Sequence, residues 1–376
     1  MTRRWAAANG LRSPGRGASV AVHGAIVPEA LPLRRPTLRP LPAAMSTYDA
    51  FLLVSFGGPE KADDVMAFLE RVTAGRGVPD ERIRAVAEHY YSAGGASPVN
   101  ARCRELLSAL GQGPSPLSLP AYWGNRNWHP LLEDTVAEMR EAGAGRALAF
   151  VTSAYGGYSS CRQYLDDIAA ARAKVGPGAP EVDKIRLFYN HPGWVKAWAK
   201  SLSEALASLG DEGAEVLFSA HSIPVAAART SPYERHVNET ARLVARSAGI
   251  QRWRLVWQSR SGSPAQPWLG PDIIEVIEGE RPRAVVVVPV GFVIENMEVV
   301  HDLDVEVAET ALKVGTRFVR ARSVSDDPAF VGMVKDLVHE RLGGPGSPRL
   351  TLGEDGPWPD TCPEGHCPAP SRPRLS

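Results

Sequence analysis

From Tyr48 onward the apolar positions come in short unbroken runs, and between the runs they recur every three or four residues. Short runs rich in Val, Ile, Leu and Phe predict strands buried on both faces. They fall at residues 50–56, 117–123, 146–152, 184–188, 215–219, 254–257, 284–289 and 316–320. The wider spacing predicts amphipathic helices at 61–73, 80–91, 99–110, 130–142, 160–174, 192–208, 233–247, 296–313 and 327–342. Buried strands that alternate with helices build parallel sheets covered by helices. The fold class is therefore α/β, with two doubly wound parallel-sheet domains and a cleft between them. The boundary is expected in the Gly- and Pro-rich stretch 176–183. That gives a first domain over 45–178, a second over 179–325, a helix at 326–342 packing back on the first, and a Pro-rich tail over 343–376.

Residues 1–44 break the pattern. They are rich in Arg, Pro and Ala, contain Glu29 as their only acid, and show no sustained hydrophobic period. They are expected to be a disordered leader, or to precede a true start at Met45. An Arg-rich, acid-poor leader also resembles an organelle transit peptide, although Pro32, Pro36, Pro40 and Pro42 would spoil its amphipathic helix.

A chain of 376 residues is long enough for two cores. Lys plus Arg equals Asp plus Glu at 42 each, so nothing draws the protein in bulk to nucleic acid or anionic lipid. The longest apolar run, 284–293, is interrupted by Pro289 and falls well short of the roughly 20 residues a membrane span needs. Four cysteines and no signal-peptide pattern point to a reducing cytoplasm, where metal binding is the notable use of a thiol. Cys103 and Cys161 lie in helical stretches, while Cys362 and Cys367 lie in the tail. A monomer is expected.

In folds of this class ligands bind beyond the carboxyl ends of strands. His221 stands there, in Phe218-Ser219-Ala220-His221-Ser222-Ile223-Pro224. Its near-neutral pKa suits it to take a proton or bind a metal, and equally to serve as a structural hydrogen-bonding group. A second candidate follows the run at 284–289. Helical geometry sets Glu298, Asp302 and Glu306 four residues apart in an acidic row, facing either solvent or a water-filled channel. The chain has no GxSxG to support a serine hydrolase, and no GxGxxG or phosphate loop to support a nucleotide cofactor.

Taken together, five segments resemble those of the ferrochelatases over about residues 48–342. Leu53-Val54-Ser55-Phe56-Gly57-Gly58-Pro59 resembles the family's opening strand and turn, and Gly94-Gly95-Ala96-Ser97-Pro98-Val99-Asn100 its glycine-rich loop. Phe218 to Pro224 resembles the "SAHS(I/L)P" signature and Trp257-Gln258-Ser259-Arg260-Ser261-Gly262 the "WQSR-G" segment. Residues 291–298 resemble "GF-x-x-D-H-x-E". The resemblance implies two Rossmann-like, chelatase-like halves clamping a porphyrin into which Fe²⁺ is inserted. His221 matches the active-site histidine, Glu298 a carboxylate across the porphyrin plane from it, and Asp302 and Glu306 an acidic row that conducts iron or protons. Phe56 matches a residue over the macrocycle face and Arg126 a basic residue near its acidic arms, with Ser97 and Asn100 as further donors to propionates. The expected substrate is coproporphyrin III. Protoporphyrin IX, cobalt insertion and a non-catalytic tetrapyrrole carrier are the alternatives. The chain departs from the pattern at Glu295-Asn296, where relatives have Asp-His, and Asn cannot transfer a proton.

The resemblance also implies a [2Fe–2S] cluster. Actinobacterial and animal ferrochelatases bind one through an internal cysteine, matched by Cys161, and three near the C-terminus. Here the tail offers Cys362, Cys367 and, in place of the third cysteine, His366. Imidazole replaces thiolate at iron in other clusters, so a three-Cys, one-His site is chemically sound.

Overall fold

The computed structural model describes residues 48–369 apart from 114, 211–212, 262–265, 345 and 364. The expectations for the leader at 1–44, for Gly262 and for residues 370–376 fall outside the described residues.

Among the described residues eight strands form: β1 (Ala50–Ser55), β2 (Ala121–Asn125), β3 (Arg146–Val151), β4 (Glu181–Lys184), β5 (Glu215–His221), β6 (Trp253–Gln258), β7 (Ala284–Val288) and β8 (Arg317–Arg320). They make two four-stranded sheets, ordered β2-β1-β3-β4 and β6-β5-β7-β8, with every pair parallel. In chain order the helices of the first half are α1 (Val65–Thr73), α2 (Asp80–Ser92), α3 (Val99–Leu110), α4 (Leu132–Glu141) and α5 (Gln163–Val175). They are followed by α6 (Pro192–Leu209), α7 (Val225–Arg229), α8 (Tyr233–Ser247), α9 (Ile273–Glu280), α10 (Ala308–Val314) and α11 (Pro328–Leu342). Two π-helical segments, Tyr158–Arg162 and Val299–Val307, run directly into α5 and α10.

Strand side chains alternate between faces, and here both faces are buried. Ala50, Leu52 and Val54 pack with α4 and α5 on one side of the first sheet. Leu217, Val285 and Val287 pack with α9 and the second π segment on one side of the second. The alternate set, Phe51, Leu53, Phe150, Phe218 and Val288, joins a single core shared by the two sheets and filled by Trp194, Trp198 and Phe330 of α6 and α11. The helix at the end of the second half touches both α6 and α3.

Two strands depart from expectation. β2 begins at Ala121, because Pro120 has no N–H for a ladder and offers only its carbonyl, to Phe51. The apolar run at 184–188 is not the fourth strand; β4 precedes it. Ile185 still bonds to the Ala149 carbonyl, but Leu187, Phe188 and Tyr189 continue as a buried connector into the shared core. The short helices α7 and α9 were not anticipated.

In each sheet the chain works outward from a central strand first one way and then the other. The crevice where the direction reverses lies between β1 and β3 in one sheet and between β5 and β7 in the other. Ligands bind at such crevices.

Candidate active site

His221 is the last residue of β5, and Glu298 follows the turn after β7, so both leave the same crevice. Their approach depends on Gly291. A side chain there would put its Cβ 2.5 Å from the Cα of Ala220, so only glycine lets the β7 turn lie against the end of β5. The result is a contact of 3.6 Å between His221 Nε2 and Glu298 Oε1. A macrocycle with van der Waals clearance on both faces cannot fit in that gap. The expectation that the two flank a macrocycle from opposite faces is not met in this structure: Glu298, beyond the end of β7, lies beside His221 at the end of β5.

The His221 ring is fixed by its other nitrogen. Nδ1 lies 2.6 Å from the Ser222 carbonyl, which only an N–H satisfies, so Nε2 is the nitrogen that faces Glu298. Tyr233 donates to the His221 carbonyl at 3.0 Å and Ser222 Oγ donates to the Leu269 carbonyl at 2.9 Å, pinning the loop. Burial alone would lower the imidazole's pKa. The charge and hydrogen bond of Glu298, with help from the Ser222 carbonyl, outweigh it and raise the value. Burial likewise acts to raise the pKa of Glu298, but the charge of His221 wins and lowers it. Each group therefore favours the charged form of the other.

Asn296 holds the other side of Glu298. Its Nδ2 donates to Glu298 Oε2 at 3.3 Å, and its Oδ1 accepts the Val299 N–H at 3.0 Å, capping the helical segment. At this position the chain has a helix cap in place of a titrating group. Glu295 turns away from His221 and takes bonds from Arg320, Ser323 and Arg102.

Beyond Glu298 the π segment alters the expected acidic row. Hydrogen bonds of the i→i+5 kind place residues five apart along one face. His301 thereby joins Asp302 and Glu306, its Nδ1 lying 3.5 Å from Asp302 Oδ1 and 3.9 Å from Glu306 Oε1. These three donors lie within 4.8 Å of one another, a nitrogen-and-oxygen set that suits a divalent transition metal. Burial, then the neighbouring charges of Glu298 and Glu306, push Asp302 up to about 6 despite a hydrogen bond from Ser259. Across the cleft, His89 of α2 stacks on His301. The phenol of Tyr90 has its pKa raised first by burial and then by the charges of Glu298 and Asp302. His301, which the sequence suggests as a stand-in for Asn296 but on another helix face, in fact joins the acidic row; His89, Tyr90 and Ser259 were missed, since nothing in local spacing marks contacts between distant segments.

Among the remaining candidates, Phe56 stands exposed at the end of β1, edge-on to Phe68, which in turn meets Tyr90. Arg126 is buried behind it. The guanidinium lies 5.6 Å from the Phe56 ring and 4.6 Å from that of Tyr164, and is paired with Asp167. Asn100 is fully buried, donating to the His129 carbonyl at 3.0 Å and accepting from Asn125 at 3.1 Å. Ser97 is buried beneath Gly58.

The tail cysteines return to the first half. Cys161, on the first π segment, and Cys367 are both buried. Burial raises the Cys161 thiol, with Cys362 adding to it and Lys184 opposing. Burial pushes Cys367 up to about 11, with Cys161 and Cys362 adding to it. His366 Nδ1 lies 3.0 Å from Cys367 Sγ, and Trp358 Nε1 donates to Cys362 Sγ at 3.4 Å. Cys103 lies apart, sealed in the core of the first half against Ser55.

The sequence pattern that defines the ferrochelatases matches residues 48–342. A ferrochelatase of Rhodopirellula baltica is 47% identical over 328 residues, covering 85% of this chain and 93% of that one. A coproporphyrin III ferrochelatase of Mycolicibacterium smegmatis is 48% identical over 320 residues, covering 82% and 94%. Among solved structures, the sirohydrochlorin chelatase SirB of Bacillus subtilis, in complex with cobalt, aligns with a TM-score of 0.49 and 12% identity over 79% of this chain and 96% of that one.

Proposed function

The chain belongs to the ferrochelatase family, and from that premise we propose that it inserts Fe²⁺ into coproporphyrin III, the substrate named for its actinobacterial relatives. The observation that carries the proposal is the His221–Glu298 pair, set 3.6 Å apart at the β5–β7 crevice, with Tyr90 in reach of the Glu298 charge and Phe68 and Phe56 following edge-on from Tyr90. Insertion releases two pyrrole protons as the metal takes four nitrogens. An imidazole with its free nitrogen turned to a carboxylate is suited to accept them one at a time. The macrocycle lies with this pair on one face and the aromatic wall of the first half on the other. Arg126 serves by backing the Phe56 ring, while Ser97 and Asn100 shape the loop beneath it. Asp302 and Glu306, joined by His301, lead away from the pair and carry protons or incoming iron.

Anaerobic assay with Fe²⁺ and each porphyrin, following loss of free-porphyrin fluorescence, tests the reading. Coproporphyrin III is expected to be metalated fastest, ahead of protoporphyrin IX, and Co²⁺ to be the poorer metal. His221→Ala should abolish turnover while porphyrin still binds. Wild-type turnover in that variant would sink the assignment, and binding without turnover in the wild type would make the chain a carrier.

The tail adds a second element to the proposal. Cys161, Cys362, Cys367 and His366 would hold a [2Fe–2S] cluster, a structural staple between the first half and the tail. Three thiols within electrostatic reach of one another, and an imidazole against one of them, support it. Anaerobically purified protein should show visible absorption with matching iron and sulfide, lost in Cys362→Ser. A colourless, iron-free preparation from a cluster-competent host would exclude the cluster.

A further inference from the structure

We propose that Arg102 is a positioning residue, gripping Glu295 to clamp the two halves over the bound tetrapyrrole; this rests on the reading of the cleft given above. Glu295 lies three residues before Glu298, and its side chain is only 12% exposed. One carboxylate oxygen, Oε1, is held inside the second half by Arg320 Nη2 at 3.0 Å and Ser323 Oγ at 3.3 Å. The other, Oε2, reaches the first half, accepting from Arg102 Nη2 of α3 at 3.3 Å. Arg320 also grips both oxygens of Asp304 on the π segment. A line of alternating charge thus runs Arg102–Glu295–Arg320–Asp304, from a helix of one half to the segment of the other that carries Asp302 and Glu306.

The links are unequal. Arg320 is 15% exposed and bonded wholly within its own half, whereas Arg102 is 35% exposed. Arg102 also has a second partner: Nη1 donates at 2.8 Å to Glu105 Oε2, one turn along α3. When Arg102 releases Glu295 it remains paired, so the contact between halves breaks at less cost than an ion pair losing its only partner. The network therefore parts at Arg102 first, and the buried carboxylate of Glu295 keeps its Arg320 cation throughout. Because α3 continues from the loop packed beneath Gly58 at the end of β1, the grip also holds the Phe56 wall against the cleft. Arg102 bonds to neither proton acceptor. Its effect falls on entry and release of the ring, and proton transfer is spared.

The test uses the full chain with coproporphyrin III. In Arg102→Met, KM for porphyrin and the rate of porphyrin release, read by stopped-flow fluorescence, should each rise roughly fivefold, the range of a partly exposed ion pair. The kcat should change less than about twofold. Arg102→Lys should recover most of the loss. Added salt should speed release from the wild type but leave Arg102→Met unaffected. Glu105→Gln, which leaves Arg102 to Glu295 alone, should slow release. Wild-type release and salt dependence in an iron-inserting Arg102→Met protein would overturn the clamp alone. A wild-type chain that neither binds nor metalates porphyrin would overturn the functional reading and the clamp with it.

Discussion

His89 and His301 lie with their imidazoles face to face across the cleft, 3.8 Å between centroids and 4° from parallel. Two imidazolium ions at that separation would repel, so the stack lasts only while at least one ring is neutral. Burial first, and then the charge of His301, hold His89 below its ordinary pKa.

A stability prediction follows from that sign. A histidine harder to protonate when folded stabilises the protein fully above the unfolded value of about 6.5, and loses that contribution as pH falls below it. His191 and His236, each lowered to about 3 chiefly by burial, act in the same direction. The urea midpoint should therefore drop steeply from about pH 7.5 to about pH 5.5. The drop should be shallower in His89→Phe and in His236→Gln. Equal slopes in all three proteins would show that these rings are not the source.

The raised pKa of His221 makes a kinetic prediction. In its proposed role as base it must be deprotonated, so the rate should climb with pH through that raised value. Glu298→Gln removes the charge that raises it, leaving burial as the main influence. The acid limb of the kcat profile should then move to lower pH, while the plateau falls by about a hundredfold or more with the loss of an acceptor. An acid limb that stays in place would mean another group governs it.

Gly291→Ala tests the approach of the two strand ends. The new methyl would collide with Ala220, so a loss of about 1–3 kcal/mol in urea unfolding is expected. Iron insertion should fall further than stability accounts for, because the 3.6 Å contact between His221 and Glu298 opens. A variant with wild-type activity would show that the close contact is dispensable.

Asn296 separates a cap from a proton carrier. Asn296→Ala should lower stability by about 1 kcal/mol, and Asn296→Asp should hold it, since Asp also caps. Thermal melts decide the matter, with Tm falling only in the Ala variant.

Much of this was legible in the chain because the apolar runs and helical periods map directly onto burial. Residues 284–288 are five consecutive buried positions and form β7; the fourfold spacing of Glu298, Asp302 and Glu306 correctly signalled a helix. What stayed hidden depended on geometry that local spacing does not encode. Val299, Leu303 and Val307 are buried at intervals of four, as in an ordinary helix, so nothing revealed the π winding that brings His301 to Glu306. Each reactive residue could be placed at a strand end, but not on adjacent strands, since the β6-β5-β7-β8 order is a long-range outcome. Arg126 was expected by resemblance near the acidic arms of a porphyrin; its pairing with Asp167 was not legible, because that partner lies on α5, far along the chain.

The adjacency of β5 and β7 has one further consequence. Imidazole and carboxylate both belong to the second half, His221 at the end of β5 and Glu298 beyond β7, so any widening of the gap to Phe56 would leave their spacing unchanged. In the proposed reaction a flat disc would enter, and a metalated one leave, without parting the imidazole from the carboxylate.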